Sequence, residues 1–157
     1  MSTLCIVPCG NRKIWDKHPD IGPQKAEDVY IGSFVTKCRE YAKLFYPNSW
    51  MILSAKYGFL CPNDIVPGPY NVSFNNQNTN SITVEELNKQ ANEKNLYDFD
   101  EIVVLGGRSY TQIVEQIFEK KQIIEPLRDC SRIGYMIHRL NEAIRTGYPY
   151  NGPCNGN

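Results

Sequence analysis

The chain of 157 residues carries no net charge, 17 Lys+Arg standing against 17 Asp+Glu. No field of the whole molecule draws it to nucleic acid, so any such binding must come from a local cluster of cations. Long apolar runs are also missing. The strongest, residues 102–105 and 50–53, fall far short of the roughly 20 residues needed to span a bilayer, which excludes a transmembrane helix. No basic residue precedes the first apolar segment, and Pro8 and Cys9 follow it, so a signal peptide is not expected and a cytoplasmic location is. Histidine is confined to His18 and His138, and none of the six cysteines forms a C-x-x-C pair, which removes the usual zinc-ligand spacings. Without a secretory signal, Cys5, Cys9, Cys38, Cys61, Cys130 and Cys154 are expected as thiols. Neither a Walker A loop nor a G-x-G-x-x-G fingerprint occurs, so the common ATPase and dinucleotide motifs are excluded and no cofactor or metal is implied.

What remains is a chain with 41% apolar residues, long enough for one core but not two. Residues 1–147 read as a single domain and residues 148–157 as a flexible tail. Short continuous apolar runs at residues 4–8, 50–53, 102–105 and 122–125 predict four strands. Ala26, Tyr30, Phe34, Cys38, Ala42 and Phe45 recur at helical spacing and predict one helix of about five turns before Pro47. Residues 57–80, rich in Gly, Pro and Asn, predict a long loop. Thr83 with Glu86 predicts a capping box for a helix running to about Asn95. A further helix follows Gly106-Gly107, lined by Tyr110, Ile113, Val114, Ile117 and Phe118. Ser131 is a candidate N-cap for the last helix, whose expected buried face is Ile133, Ile137, Leu140 and Ile144. Strands alternating with helices give an α/β fold: three layers, with a mainly parallel four-stranded sheet between helices.

In open parallel sheets the ligand crevice lies beyond the carboxyl ends of the strands. Each such end here delivers a cation among small or hydroxyl residues. The first strand leads to Cys9, Gly10, Arg12 and Lys13, and the second to Ser54, Lys56, Tyr57 and Gly58. The third leads to Gly106, Gly107 and Arg108, and the fourth to Arg128, Asp129, Ser131 and Arg132. Six cations (Arg12, Lys13, Lys56, Arg108, Arg128 and Arg132) on one edge would suit phosphate, with glycines admitting backbone N–H groups and helix N-termini adding favourable potential. The structural alternative is a set of solvated surface loops. Tyr57 and Tyr70 are candidates to stack on a base or sugar, or else to cover a core edge. Asp64 is the best-placed carboxylate for orienting water or accepting a ribose hydroxyl, or else it caps a turn. Cys9 lies beside cations that would favour its thiolate, but no histidine base accompanies it; a small buried hydrophobe is its bland role.

Pro8-Cys9-Gly10-Asn11-Arg12-Lys13, the stretch from Ala26 to Phe34, the stretch from Ile52 to Pro62 containing Ser54-Ala55-Lys56-Tyr57-Gly58, and Pro69-Tyr70 resemble a group of small uncharacterised bacterial and phage domains. Gly106-Gly107-x-x-Tyr110 and Pro126-Leu127 with Ile133-Gly134 extend that resemblance from about residue 5 to about residue 140. The loop from Ser54 to Tyr70 also resembles the YaaA family of peroxide-stress proteins, which is associated with DNA binding and protection. More distantly, the Pro-Cys-small-x-x-Lys element is similar to one in archaeosine synthases, which modify a deazaguanine base in tRNA, and the layout to the uracil-DNA-glycosylase-like fold. The chain is much shorter than YaaA proteins, one extra residue separates Ile65 from Pro69-Tyr70, and the glycosylase catalytic motifs are absent.

These resemblances imply a nucleobase ligand. The first expectation is an enzyme acting on an N-glycosidic bond or a modified base, with Asp64 as the catalytic carboxylate and Asp129 as its substitute. Lys13, Lys56 or Arg108 would then hold phosphate or the departing base. The alternative is a non-catalytic module for a nucleotide or single-stranded nucleic acid, using the same cations and aromatics. A third is a protein-binding adaptor.

Overall fold

In a computed structural model, which describes residues 2–150, the core is a five-stranded sheet in the order β4-β3-β1-β6-β7. Its strands are β1 (Thr3–Pro8), β3 (Trp50–Ser54), β4 (Gly58–Leu60), β6 (Glu101–Val104) and β7 (Gln122–Ile124). The pairs β1/β3, β1/β6 and β6/β7 are parallel, and β3/β4 is antiparallel. The four expected strands thus form a parallel set, and the expectation of a four-stranded sheet is corrected by β4. This strand folds back from β3 across a three-residue turn, Ser54 pairing with Gly58, and converts the edge to antiparallel. Residues 57–80 are therefore not one loop: they also contain β5 (Ile65–Val66), which pairs antiparallel with β2 (Gln24–Lys25).

β1 shows why these runs are continuously apolar. Cys5 and Val7 pack in one core layer, with Tyr41, Ala42 and Leu140, while Leu4 and Ile6 pack in another, with Leu87, Ala91 and Val114. A strand covered on both faces has no solvent side to make polar. The first layer is closed by α2 (Ser33–Phe45) and α5 (Ile133–Thr146), the second by α3 (Val84–Glu93) and α4 (Arg108–Ile117).

Three helix boundaries differ from expectation. The single helix from Ala26 to Phe45 is two: the one-turn α1 (Ala26–Val29) and α2, separated by an extended Tyr30 and by Gly32 as N-cap. Tyr30 is pulled out of helical geometry by an antiparallel bridge to Lys13, with Ile31 N–H donating to the Arg12 carbonyl at 3.1 Å. The last helix is capped by Arg132 rather than Ser131, and Ile133 is 58% exposed instead of buried, because the apolar face begins a turn later and centres on Leu140 and Ala143. At α3, Thr83 Oγ1 accepts the Glu86 N–H as the capping box requires, but the helix ends at Glu93, short of Asn95. Within the proposed tail, Tyr150 N–H donates to the Tyr41 hydroxyl at 2.9 Å and its ring lies 4.6 Å from the Arg139 guanidinium, while residues 151–157 lie outside the described residues. No described helix is long and apolar enough to cross a membrane.

The strand order reverses at β1. Its outgoing chain moves to β3 on one side, and that of the adjacent β6 moves to β7 on the other. Sheets with such a reversal take ligands beyond the carboxyl ends of the two strands that flank it, here β1 and β6.

Candidate functional site

A cluster of hydroxyls, ammoniums and one thiol occupies this edge. Tyr30, fully buried, and Tyr70, half-buried, hydrogen-bond through their hydroxyls, and Ser54 Oγ lies 2.8 Å from the Tyr70 hydroxyl. Ser54 Oγ also accepts the N–H groups of Lys56 (3.2 Å) and Tyr57 (3.0 Å), which fixes the turn after β3. The Tyr57 ring meets the Tyr70 ring edge-on at 5.3 Å.

Both candidate lysines converge on Tyr70. Lys13 Nζ lies 4.4 Å from the centre of its ring and Lys56 Nζ 5.5 Å, within the range of cation–π attraction. Lys56 is exposed and also lies 5.3 Å from the Tyr57 ring. Lys13 is only 5% exposed. Its Nζ donates to the Asn11 carbonyl at 3.2 Å, and it forms no salt bridge among the described residues. Desolvation lowers the Lys13 pKa, partly offset by the nearby Cys9 thiol and Asp16 carboxylate. The same burial pushes Tyr70 up to about 12 and Tyr30 higher still, so both phenols are protonated at neutral pH.

Cys9 stands at the switch point. It is buried, with Sγ 3.2 Å from the Tyr110 hydroxyl, which also accepts the Cys9 N–H at 3.3 Å. This contact crosses from the end of β1 to the first turn of α4. Gly106 permits it, since a Cβ there would stand 3.2 Å from the Tyr110 ring. The Tyr110 ring also meets the Phe74 ring edge-on at 5.6 Å. Gly10 turns the chain after Cys9 at φ +77°, where a Cβ would come within 2.9 Å of Val35 Cγ2. Gly58 turns it after Tyr57 at φ +80°, against the Gln90 side chain.

The remaining sequence-selected residues separate into two groups. Arg12, Arg108, Arg128 and Arg132 are exposed and make no side-chain hydrogen bond or ion pair with other described residues; Gly107 is the N-cap of α4 beside Arg108. They lie in the segments that follow β1, β6 and β7, and none makes a contact with the Tyr70 cluster among the described residues. The two carboxylates are committed elsewhere. Asp64 closes its own turn, its carboxylate accepting the Cys61 N–H at 2.8 Å and its carbonyl accepting the Ala26 N–H at 2.7 Å. Asp129 pairs with Arg139 at 2.6 Å. No group of three or more His, Cys, Asp or Glu gathers among the described residues, and the donors at the cluster suit an anion rather than a metal.

Tyr30 and Tyr110 fall on helix faces by their spacing in the sequence, which hides their hydroxyls at the site. Gly32, two residues after Tyr30, and Gly106-Gly107, before Tyr110, were the available signals of a chain leaving or entering a helix there.

An uncharacterised protein of Bacillus subtilis (strain 168), YfjM, is 45% identical over 145 residues, covering 92% of this chain and 96% of its own length. Residues 4–142, which include every residue of the Tyr70 and Cys9 clusters, match one family model, and the chain belongs to the family of unknown function DUF6884.

Proposed function

We propose that this domain binds a phosphorylated nucleobase ligand, a nucleotide or the phosphorylated end of a single strand, at the carboxyl edge of its sheet. The observation that carries the reading is Lys13, a buried lysine with one backbone acceptor and no ion pair among the described residues, the Asp16 carboxylate acting on it only from beyond ion-pair distance. Burying an ammonium without an ion-pair partner is costly, and an incoming phosphate would offset that cost. Lys56 supplies a second cation at the same ring, and Tyr57 offers an aromatic face for a base. The resemblance of residues 54–70 to the YaaA family supports a nucleobase as the other half of the ligand.

Calorimetric titration with the four ribonucleoside monophosphates and a short 5′-phosphorylated thymidine strand tests this. Binding should weaken between about 50 and 200 mM salt, and Lys13→Gln and Lys56→Gln should each weaken it further. Salt-independent binding, or none, would overturn the reading.

A second reading, processing of the base or its N-glycosidic bond, is favoured by the direction in which burial moves the Lys13 pKa, downward, as a general base or nucleophilic amine requires. The turn-bound Asp64 weighs against the carboxylate role in that chemistry. Release of free base from modified nucleosides or single-stranded DNA, abolished by Asp64→Asn, would restore it.

A further inference from the structure

Three hydroxyls close a ring in the cluster. Tyr30 and Tyr70 hydrogen-bond to each other, Ser54 Oγ lies 2.8 Å from the Tyr70 hydroxyl, and Tyr30 also hydrogen-bonds Ser54. Three protons serve three contacts, so the ring is satisfied within itself. It ties together the two chain segments that carry the lysines. On one side, the Tyr30 backbone bridges the Lys13 backbone. On the other, Ser54 Oγ accepts the N–H groups of Lys56 and Tyr57 at 3.2 and 3.0 Å. Ser54, fully buried at the end of β3, thus joins the Lys56 turn to the partner of Lys13 through one oxygen. Both ammoniums then stand at the Tyr70 ring, 4.4 and 5.5 Å from its centre.

From this linkage we infer that Ser54 is the positioning residue that keeps Lys56 in register with Lys13, so that both ammoniums meet one phosphoryl group and the ligand is a phosphate monoester rather than a diester. The inference rests on the proposed binding at this edge and names the class of phosphate it takes. A monoester carries about −1.5 to −2 charge at pH 7, whereas a diester carries a single charge. Two ammoniums on one group match the monoester.

The test compares Kd for AMP, a monoester, with Kd for 3′,5′-cyclic AMP, a diester, in the native chain and in variants. The native chain should prefer AMP by about tenfold or more, as a further hydrogen bond between charged groups provides. Ser54→Ala frees the Lys56 turn and should cut that preference about fivefold or more. Lys56→Gln should cut it similarly, and the double variant should stay within about twofold of Lys56→Gln alone. Tyr30→Phe keeps both N–H bonds to Ser54 but opens the ring on the Lys13 side, so it should also cut the preference, though not in a Lys13→Gln chain. A general loss of folded protein weakens both ligands together and leaves the preference as it was. Should Ser54→Ala fail to fold, Tyr30→Phe decides alone. An unchanged preference in either variant, or losses that multiply in the double variant, overturns the assignment. So does a native chain that binds AMP without preferring it. A native chain that binds neither ligand overturns the phosphate-centred reading beneath it.

Discussion

Gly58 controls whether the turn carrying Lys56 and Tyr57 exists in its functional shape, and Gly58→Ala tests this. Two costs arise. The residue sits at φ +80°, where an L side chain costs about 1–2 kcal/mol. The new Cβ would also lie 2.2 Å from Gln90 Oε1, so the Gln90 side chain must leave. Gln90 Oε1 accepts the Phe59 N–H at 2.8 Å, and its Nε2 donates to the Tyr57 carbonyl at 2.9 Å. Phe59 is buried, and an N–H left there without a partner costs about 1–3 kcal/mol. The sum, about 2–5 kcal/mol, is a large share of the stability of an ordinary domain. Urea unfolding of the native chain, Gly58→Ala, Gln90→Ala and the double variant separates the two costs. Because both single changes strip the same bonds, the double variant should be only slightly less stable than Gly58→Ala, a coupling of about 1–3 kcal/mol. Additive losses, or a Gly58→Ala loss below about 0.5 kcal/mol, would refute the reasoning.

Gly10→Ala combines a left-handed φ with a Cβ 2.9 Å from Val35 Cγ2, so it should destabilise by about 1–3 kcal/mol in urea unfolding and displace the Cys9–Tyr110 contact; Val35→Ala in the same chain should recover the steric part alone. Alkaline pH should unfold the domain. Burial raises Cys5 and Cys38 above 9.0 and Tyr30, Tyr41, Tyr70 and Tyr110 above 10.0. The folded chain keeps protons that the unfolded chain releases, so this stability is complete below about pH 9 and is lost as pH rises, by up to about 1.4 kcal/mol per unit for each group. Lys13, lowered from 10.5, acts in the opposite sense but is one group against six, so the urea midpoint should be lower at about pH 10.5 than at pH 8, and an equal or higher midpoint would contradict the burial described.

The parallel part of the sheet was legible because a strand buried on both faces must be apolar without interruption, and residues 4–8, 50–53, 102–105 and 122–125 are. β4 was not, since Gly58-Phe59-Leu60 is too short to show a period and is held by pairing with Leu53 and by Gln90 from α3. Tyr30 fits helical spacing in sequence. Its extended backbone comes from a bridge to Lys13, 17 residues away, a tertiary effect that overrides periodicity. Lys13, Lys56, Ser54, Tyr57 and Tyr70 were selected because strand ends and a proline-bearing loop deliver them, and the fold brings them to one ring. Asp64 presented two readings in the sequence, turn and chemistry. The hydrogen bond that its carboxylate accepts from Cys61 N–H shows the turn role.

The central claim is that Lys13 and Lys56 grip a phosphate together beside Tyr70. A crystal of the native chain soaked with AMP addresses it directly. Phosphoryl oxygens should lie within about 4 Å of both Nζ atoms. A phosphate held instead at Arg132 and the start of α5, with Lys13 and Lys56 unmoved against Tyr70, would contradict it.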